Sequence, residues 1–417
     1  MPKFEYVILG GGVAAGYAAQ AFGERGLRGG RLAIVSAEAF LPYDRPPLSK
    51  GFLLGDEPQA ELPINPPEFY QTHGIDVWLN TRVTRLDLDE QRLILDEGEP
   101  ISFEELLIAT GSSVRTLDVP GADLERIFTL RQVGDAKAIR QAALSAARAV
   151  VIGGSFIGME VPSTLQQLGV DTTLVFPEAR VWERFFTPEM SGFFHSYYRD
   201  QGVTLMPRHE AVGFEGDGAV QRVIVAGPDG RRTLPADLVV VGIGVMPNLT
   251  LFENTDLQLD DGLVVDEYLE TTVEGVYAAG DVARFPNQVT GSRDRIEHWD
   301  NAMTQGQHAA RALLGEREPY VHTPYFFSDV FDLSYEFWGD AAEADDVVHR
   351  GDISSGRFSA WWLDGGKLVA AFVMDRPDEE RELAQAWVRE GAAVSADVLA
   401  DAAQPLTAAR REQAESR

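Results

Sequence analysis

Two short glycine turns carry the first chemical signal in the chain: Gly10-x-Gly12-x-x-Ala15 and Gly153-x-Ser155-x-x-Gly158. In such a turn the first glycine makes a tight bend and the second lets the main chain approach a pyrophosphate. The third small residue lets the following helix pack on its strand, with free N–H groups at the helix start facing the anion. An acid about twenty residues on, where the next strand ends, is placed to bond a ribose 2′-hydroxyl. Glu38 stands there for the first turn and Glu178 for the second. Ser155 departs from the pattern, so either its hydroxyl donates to the pyrophosphate or the loop is slightly displaced. A carboxylate at Glu178 repels a 2′-phosphate by about 1 kcal/mol per charge in water and about 4 kcal/mol at an effective dielectric near 20. That predicts NADH over NADPH by roughly tenfold to several hundredfold. Three further turns, Ala109-Thr110-Gly111, Gly242-Ile243-Gly244 and Ala279-Gly280-Asp281, each end an apolar run.

The elements that position these turns follow from periodicity. Residues 6–9 read as a strand, 13–22 as a helix and 32–35 as a second strand; residues 149–152, 156–168 and 173–176 repeat the design. Both are strand–turn–helix–strand units of the dinucleotide-binding kind. Pro162 falls inside the second helix, where it removes a hydrogen bond and can kink the helix. From about residue 322 the texture changes. Four of the seven tryptophans, Trp338, Trp361, Trp362 and Trp387, lie beyond that point, and alternating apolar strands replace the glycine turns. This reads as a separate C-terminal α+β domain. The last seventeen or so residues are polar and alanine-rich, and are expected as a loose helix or frayed tail.

Composition narrows the function. With 417 residues, 45% of them hydrophobic, the chain has material for two or three cores. Acidic residues outnumber basic ones 65 to 36, and a formal charge of −29 disfavours nucleic acid and anionic membranes as partners. The absence of cysteine removes disulfides, thiolate metal sites and any thiol redox relay. The seven histidines are scattered, and no metal site is expected. Residues 6–22 imitate the apolar part of a signal peptide, but Lys3 stands near Glu5 and a triple glycine interrupts the run. No stretch reaches the roughly 18 apolar residues needed to span a bilayer. The ending Glu-Ser-Arg is not a peroxisomal address, so a cytoplasmic location is expected.

Several motifs together resemble one family. The run Tyr43-Asp44-Arg45-Pro46-Pro47-Leu48-Ser49-Lys50, the Ala-Thr-Gly at 109–111, Phe156-Ile157-Gly158-Met159-Glu160 and Gly280-Asp281-Val282 are similar to the ferredoxin-reductase-type flavoproteins. That group includes monodehydroascorbate reductases, NADH-dependent reductases of oxygenase systems and apoptosis-inducing-factor-like proteins. The resemblance implies an α/β fold with two Rossmann-like domains plus a C-terminal α+β interface domain. An FAD-binding domain would comprise residues 1–112 and 246–321, with an NAD-binding domain at 113–245, the interface domain at 322–400 and a polar tail at 401–417.

It also implies the cofactors FAD and NAD(H) and assigns residues to them. On the FAD side stand Gly10, Gly12, Ala15, Glu38, Arg45, Lys50, Ala109, Thr110, Gly111, Gly280, Asp281, Glu297, His298 and Trp299. On the NAD side stand Gly153, Ser155, Ile157, Gly158, Glu178, Gly242, Ile243 and Gly244. By the same resemblance Lys50 pairs with Glu160 beside the flavin ring and Asp281 bonds the ribitol chain. A basic residue there steadies negative charge on the reduced ring, and an aspartate after a glycine turn suits a polyol.

Within the group the similarity is greatest to monodehydroascorbate reductase, on residues 6–19, Arg295-Ile296-Glu297-His298, residues 324–328, 331–334 and 337–340. Residues 301–307 look more like the ferredoxin-reductase and apoptosis-factor branches. Arg295 and Tyr325 match an arginine and a tyrosine at the flavin's open face, with Arg293 as the alternative arginine and core packing as the alternative role for Tyr325.

The expected reaction takes a hydride from NADH onto FAD and passes the electrons directly to an acceptor. A small anionic radical such as monodehydroascorbate needs only a local cation, which Arg293 and Arg295 would supply. A ferredoxin is usually acidic and needs a basic docking patch, for which Arg284, Arg293 and Arg295 are the candidates. Electrostatics therefore lean toward the small molecule. A third reading is an NADH-responsive flavoprotein whose reduction mainly alters its associations.

Overall fold

Apolar runs without polar alternation form parallel strands buried on both faces, while alternating runs form antiparallel ones. The computed structural model, which describes residues 1–27 and 29–411, contains both kinds in two compact units. The first unit comprises Met1–Arg45, Gln59–Ser113 and Val245–Pro324; the second comprises Pro46–Pro58, Val114–Gly244 and the chain from Tyr325 onward.

In the first unit, Asp76–Trp78, Leu32–Val35, Lys3–Leu9 and Ile101–Ile108 lie side by side in parallel, and Val276–Ala278 pairs with the last of them. Arg92–Leu95 and Val83–Asp87 extend the sheet in the antiparallel sense. The register sets Leu9 beside both Val35 and Ile108, and Ile108 beside Ala278. The turns after these strands are thus gathered at one carboxyl edge, where open α/β sheets bind ligands. The helix Val13–Glu24 follows the first turn, and the helix Trp299–Leu313 packs against it. The close approach depends on Gly306, because a Cβ there would lie 2.2 Å from the Ala14 carbonyl oxygen.

The second unit holds a five-stranded parallel sheet in the order Thr204–Pro207, Asp171–Phe176, Arg148–Ile152, Leu238–Val241 and Ile127–Thr129. A three-stranded antiparallel sheet, Glu210–Asp217, Ala219–Gly227 and Gly230–Pro235, lies beside it. The helix Phe156–Gln167 is continuous through Pro162. From Tyr325 the chain forms an antiparallel sheet in the order Tyr325–Val330, Leu333–Gly339, Lys367–Met374, Arg357–Asp364 and Asp346–Asp352, covered by the helix Asp378–Glu390. An aromatic core joins this sheet to the parallel one: Phe326 stacks on Trp182 at 5.7 Å and on Phe337 at 5.1 Å.

Residues 401–411, expected as part of a tail, carry a 3-10 turn at Leu406–Ala409 whose first and last residues are buried. The buried Arg350 guanidinium holds this segment by donating to the carbonyls of Leu399, Asp401 and Gln404. Residues 412–417 of the expected tail lie outside the described residues. Among the described residues, no helix is long and apolar enough to cross a membrane.

Candidate functional site

The first glycine turn is a cradle with one side packed and one side open. Gly10 has φ +126°, and a Cβ on it would stand 2.1 Å from the Ala109 carbonyl oxygen. A Cβ on Gly12 would meet nothing closer than Arg45 Nη2 at 3.7 Å, so the backbone there faces space. No side chain caps the helix Val13–Glu24, and its first turn holds no acid. Its leading N–H groups and positive dipole end are therefore available to a phosphate. Ala15 is fully buried, as close helix packing requires. The Glu38 carboxylate is fixed by two donors, Tyr43 Oη at 2.7 Å and Arg45 Nη2 at 2.9 Å.

The other residues assigned to the flavin nucleotide lie in the same unit, apart from Lys50, which belongs to the second unit. Ala109 N–H donates to the Leu9 carbonyl at 2.8 Å, Gly111 adopts φ +62°, and the buried Thr110 hydroxyl has no hydrogen-bond partner. A buried polar atom of that kind is costly unless a ligand or water satisfies it. Asp281, buried after the Gly280 turn, accepts from Ser112 Oγ at 2.5 Å. Gly280 N–H itself donates to Gln305 Oε1 at 2.8 Å. His298 begins the helix that Trp299 opens, and Trp299 Nε1 donates to Asp44 at 2.6 Å. Burial pushes the Asp44 carboxyl above its usual range, and the indole bond acts against that shift.

In the second unit the other glycine turn repeats the design. Gly153 has φ +120°, and a Cβ there would meet the Gly242 carbonyl oxygen at 2.1 Å. A Cβ on Gly158 would lie 1.7 Å from the Gly153 carbonyl oxygen. Ser155 sits in extended backbone, φ −125° and ψ −156°, and its exposed side chain makes no capping bond. Gly12 is also extended, at φ −88° and ψ −163°. The loop carrying Ser155 thus keeps the same backbone class, and the hydroxyl stands at the helix start. Ile157 packs against Gly242, and Gly244 turns with φ +95° next to Ile243. Glu178 lies just beyond the strand Asp171–Phe176 with its side chain exposed.

Lys50 and Glu160 meet at 2.8 Å, with only 16% and 6% of their side chains exposed, so they are no surface ion pair. Glu160 also accepts from Ser49 Oγ at 2.5 Å and Ser328 Oγ at 2.6 Å, and Lys50 Nζ lies 5.2 Å from the Phe327 ring centre. A buried carboxylate costs several kcal/mol unless paired and hydrogen-bonded, and this one is both. Sequence reading missed Ser49, Ser328 and Gln305. Ser49 stands next to Lys50 in a motif run, whereas Ser328 reaches Glu160 only through tertiary pairing.

Arg295 and Tyr325 belong to different units, and each is engaged within its own. The Arg295 guanidinium meets Glu297 at 2.5 Å and Asp261 at 3.3 Å, and donates to the Asp281 carbonyl. Tyr325 Oη donates to Glu336 at 2.8 Å and its ring packs on Trp338. Arg293 donates to the carbonyls of Val265 and Arg284, while Arg284 pairs with Asp260.

These two cradles fit two dinucleotides: in each a small residue is enforced by contact, a helix start is uncapped and an acid ends the second strand. Comparison with known proteins agrees. The pyridine nucleotide-disulphide oxidoreductase family matches residues 4–306, and the reductase C-terminal family matches residues 325–410. The peroxisomal monodehydroascorbate reductase 4 of Arabidopsis thaliana is 40% identical over 91% of this chain and 81% of its own. Monodehydroascorbate reductase of Pisum sativum is 38% identical over 92% and 94%. Among solved structures, the covalent putidaredoxin reductase–putidaredoxin complex contains a chain 32% identical, with a TM-score of 0.91 over 97% of both chains. The ferredoxin reductase for the CYP199A2 system of Rhodopseudomonas palustris has the same identity and TM-score, over 97% of this chain and 99% of that one. The disulphide in the family's name has no counterpart here, since the sequence holds no cysteine. The chain belongs to the pyridine nucleotide-disulphide oxidoreductase family and is an FAD-dependent oxidoreductase that works with NAD(P)H.

Proposed function

We propose that this enzyme oxidises NADH and hands the electrons to a small organic radical of the monodehydroascorbate kind. The observation that carries the choice of acceptor is the acid pairing of two of the three arginines that are candidates for docking. Arg284 is matched by Asp260 and Arg295 by Asp261 and Glu297, while Arg293 donates to main-chain carbonyls, so this surface offers an acidic protein less net positive charge than its three arginines suggest. The relatives named monodehydroascorbate reductase support the same choice. The likeness to putidaredoxin reductase and ferredoxin reductase structures favours a second reading, in which a ferredoxin receives the electrons.

FAD, when bound, takes two electrons from the reduced nicotinamide and supplies them one each to two acceptor radicals. The chain's residues bind and orient. The domains assigned from sequence, FAD-binding at 1–112 and 246–321, NAD-binding at 113–245 and interface at 322–400, are part of this proposal. In it the first turn, with Glu38, Arg45 and Asp281, holds the flavin nucleotide. The second turn, with Glu178, holds NADH by its ribose diol. Lys50, kept in place by Glu160, Ser49 and Ser328, steadies the negative charge of the reduced flavin. Arg295 and Tyr325 serve the acceptor. A cytoplasmic location belongs to the same proposal, and cell fractionation tests it.

An acceptor panel tests the central claim. Turnover driven by NADH is expected to be faster with monodehydroascorbate than with ferredoxin, quinone or oxygen, and NADH is expected to exceed NADPH in kcat/KM by roughly tenfold or more. Efficient ferredoxin reduction beside negligible monodehydroascorbate turnover overturns the acceptor. A preference for NADPH overturns the role of Glu178.

A further inference from the structure

Beyond Glu178, the end of the second nucleotide site carries an anion-binding arrangement already occupied by the chain itself. Arg180, two residues after Glu178, is where an arginine would receive the 2′-phosphate of NADP. Its guanidinium instead pairs with Glu183, Nη1 to Oε1 at 2.9 Å, and Nη2 donates to the Glu183 carbonyl at 3.3 Å. The other Glu183 oxygen, Oε2, accepts from the Ala179 N–H at 3.2 Å. One carboxylate therefore takes up a backbone N–H and a guanidinium N–H, the two kinds of donor that bind phosphate oxygens. Arg208 borders the same place, since its N–H donates to the Glu178 carbonyl at 3.0 Å and its side chain is exposed.

We propose that Glu183 is a specificity-determining residue: its carboxylate stands in for a 2′-phosphate and keeps Ala179 and Arg180 from NADPH. This rests on reading the second glycine turn as the NADH site. The pair is partly exposed, 29% and 36% of the side chains, so it adds little to stability. Its effect is occupancy and charge. A 2′-phosphate has to displace one carboxylate from its donors while facing a second at Glu178, whereas a ribose diol displaces nothing.

The test is Glu183→Gln in the FAD-loaded enzyme, with kcat/KM measured for NADH and NADPH against ferricyanide and with inhibition by 2′,5′-ADP and 5′-AMP. The NADPH-to-NADH ratio is expected to rise about fivefold or more, and 2′,5′-ADP to tighten relative to 5′-AMP. Adding Arg180→Ala is expected to abolish both gains. Arg180→Ala alone is expected to leave the ratio where it is, because its guanidinium is already taken. An unchanged ratio in Glu183→Gln, a gain that survives loss of Arg180, or a lower ratio in Arg180→Ala alone overturns the proposal. An original enzyme that prefers NADPH overturns the nucleotide assignment itself, a result read before any variant is made.

Discussion

Glu160 has both carboxylate oxygens engaged, one by Ser49 and the other by Ser328 and Lys50. In a buried place these partners decide whether the charge is tolerated, since removing one member of such a pair typically costs about 3 to 5 kcal/mol. Lys50→Gln is therefore expected to slow flavin reduction by NADH roughly tenfold or more, with FAD stoichiometry retained. Stopped-flow bleaching of the flavin measures this, and an unchanged rate removes Lys50 from the proposed machinery. The lysine and glutamate are legible because their motifs resemble a family, and Ser49 lies in view beside Lys50. Ser328 is not legible: 168 residues separate it from Glu160, and nothing local distinguishes a serine that points into a strand's buried face from any other.

At the scale of elements, two turns of near-identical geometry tolerate different residues for a physical reason. Gly10 and Gly153 need positive φ and lie against carbonyl oxygens, so glycine is enforced there. Ser155 occupies extended backbone open to any residue, which is why the departure from glycine displaces nothing. Gly158 is enforced by space alone, and Gly158→Ala is expected to raise KM for NADH roughly tenfold or more by forcing the helix off its strand. FAD content, read from the flavin spectrum, is expected to stay near one per chain, because the first turn belongs to the other unit; normal KM values refute this. Glycine punctuation makes both units readable, but residues 401–411 are ordered where their composition suggests a tail. Their polar, alanine-rich sequence hides the fact that the carbonyls at Asp401 and Gln404 are held by a buried arginine 51 and 54 residues earlier. Arg350 also pairs with Glu380, and Arg350→Met is expected to destabilise the chain by about 3 kcal/mol in urea unfolding. A loss within the error of the wild-type midpoint would mean that the segment holds without it.

For the whole molecule, a net charge of −29 is a statement about encounter rather than fold, and it explains why the acceptor is the least legible feature. An acceptor that meets the protein at an exposed edge needs no diagnostic residue spacing, and two of the three arginines that look available in the sequence, Arg284 and Arg295, are matched by acids either distant along the chain or two residues on. Charge enters stability through a different route. Burial pulls His195, His308 and His349 below the ordinary histidine value, with Arg199 adding to the effect at His195 and Arg311 at His308, while Glu189 opposes it at His349 and the Glu318 backbone and charge oppose it at His308. A depressed histidine binds its proton more readily in the unfolded chain. Stability from these groups is therefore complete above the unfolded value of about 6.5 and is lost as pH falls toward the folded values. The urea midpoint is expected to be flat above about pH 7.5 and to fall between about pH 6.5 and 5.5, with the slope reduced in His195→Gln. His195 Nε2 accepts the Val181 N–H at 3.2 Å, so its protonation also breaks a bond that a protonated ring cannot make. A midpoint that rises on acidification through this window would show that these half-buried rings are not what couples protons to folding.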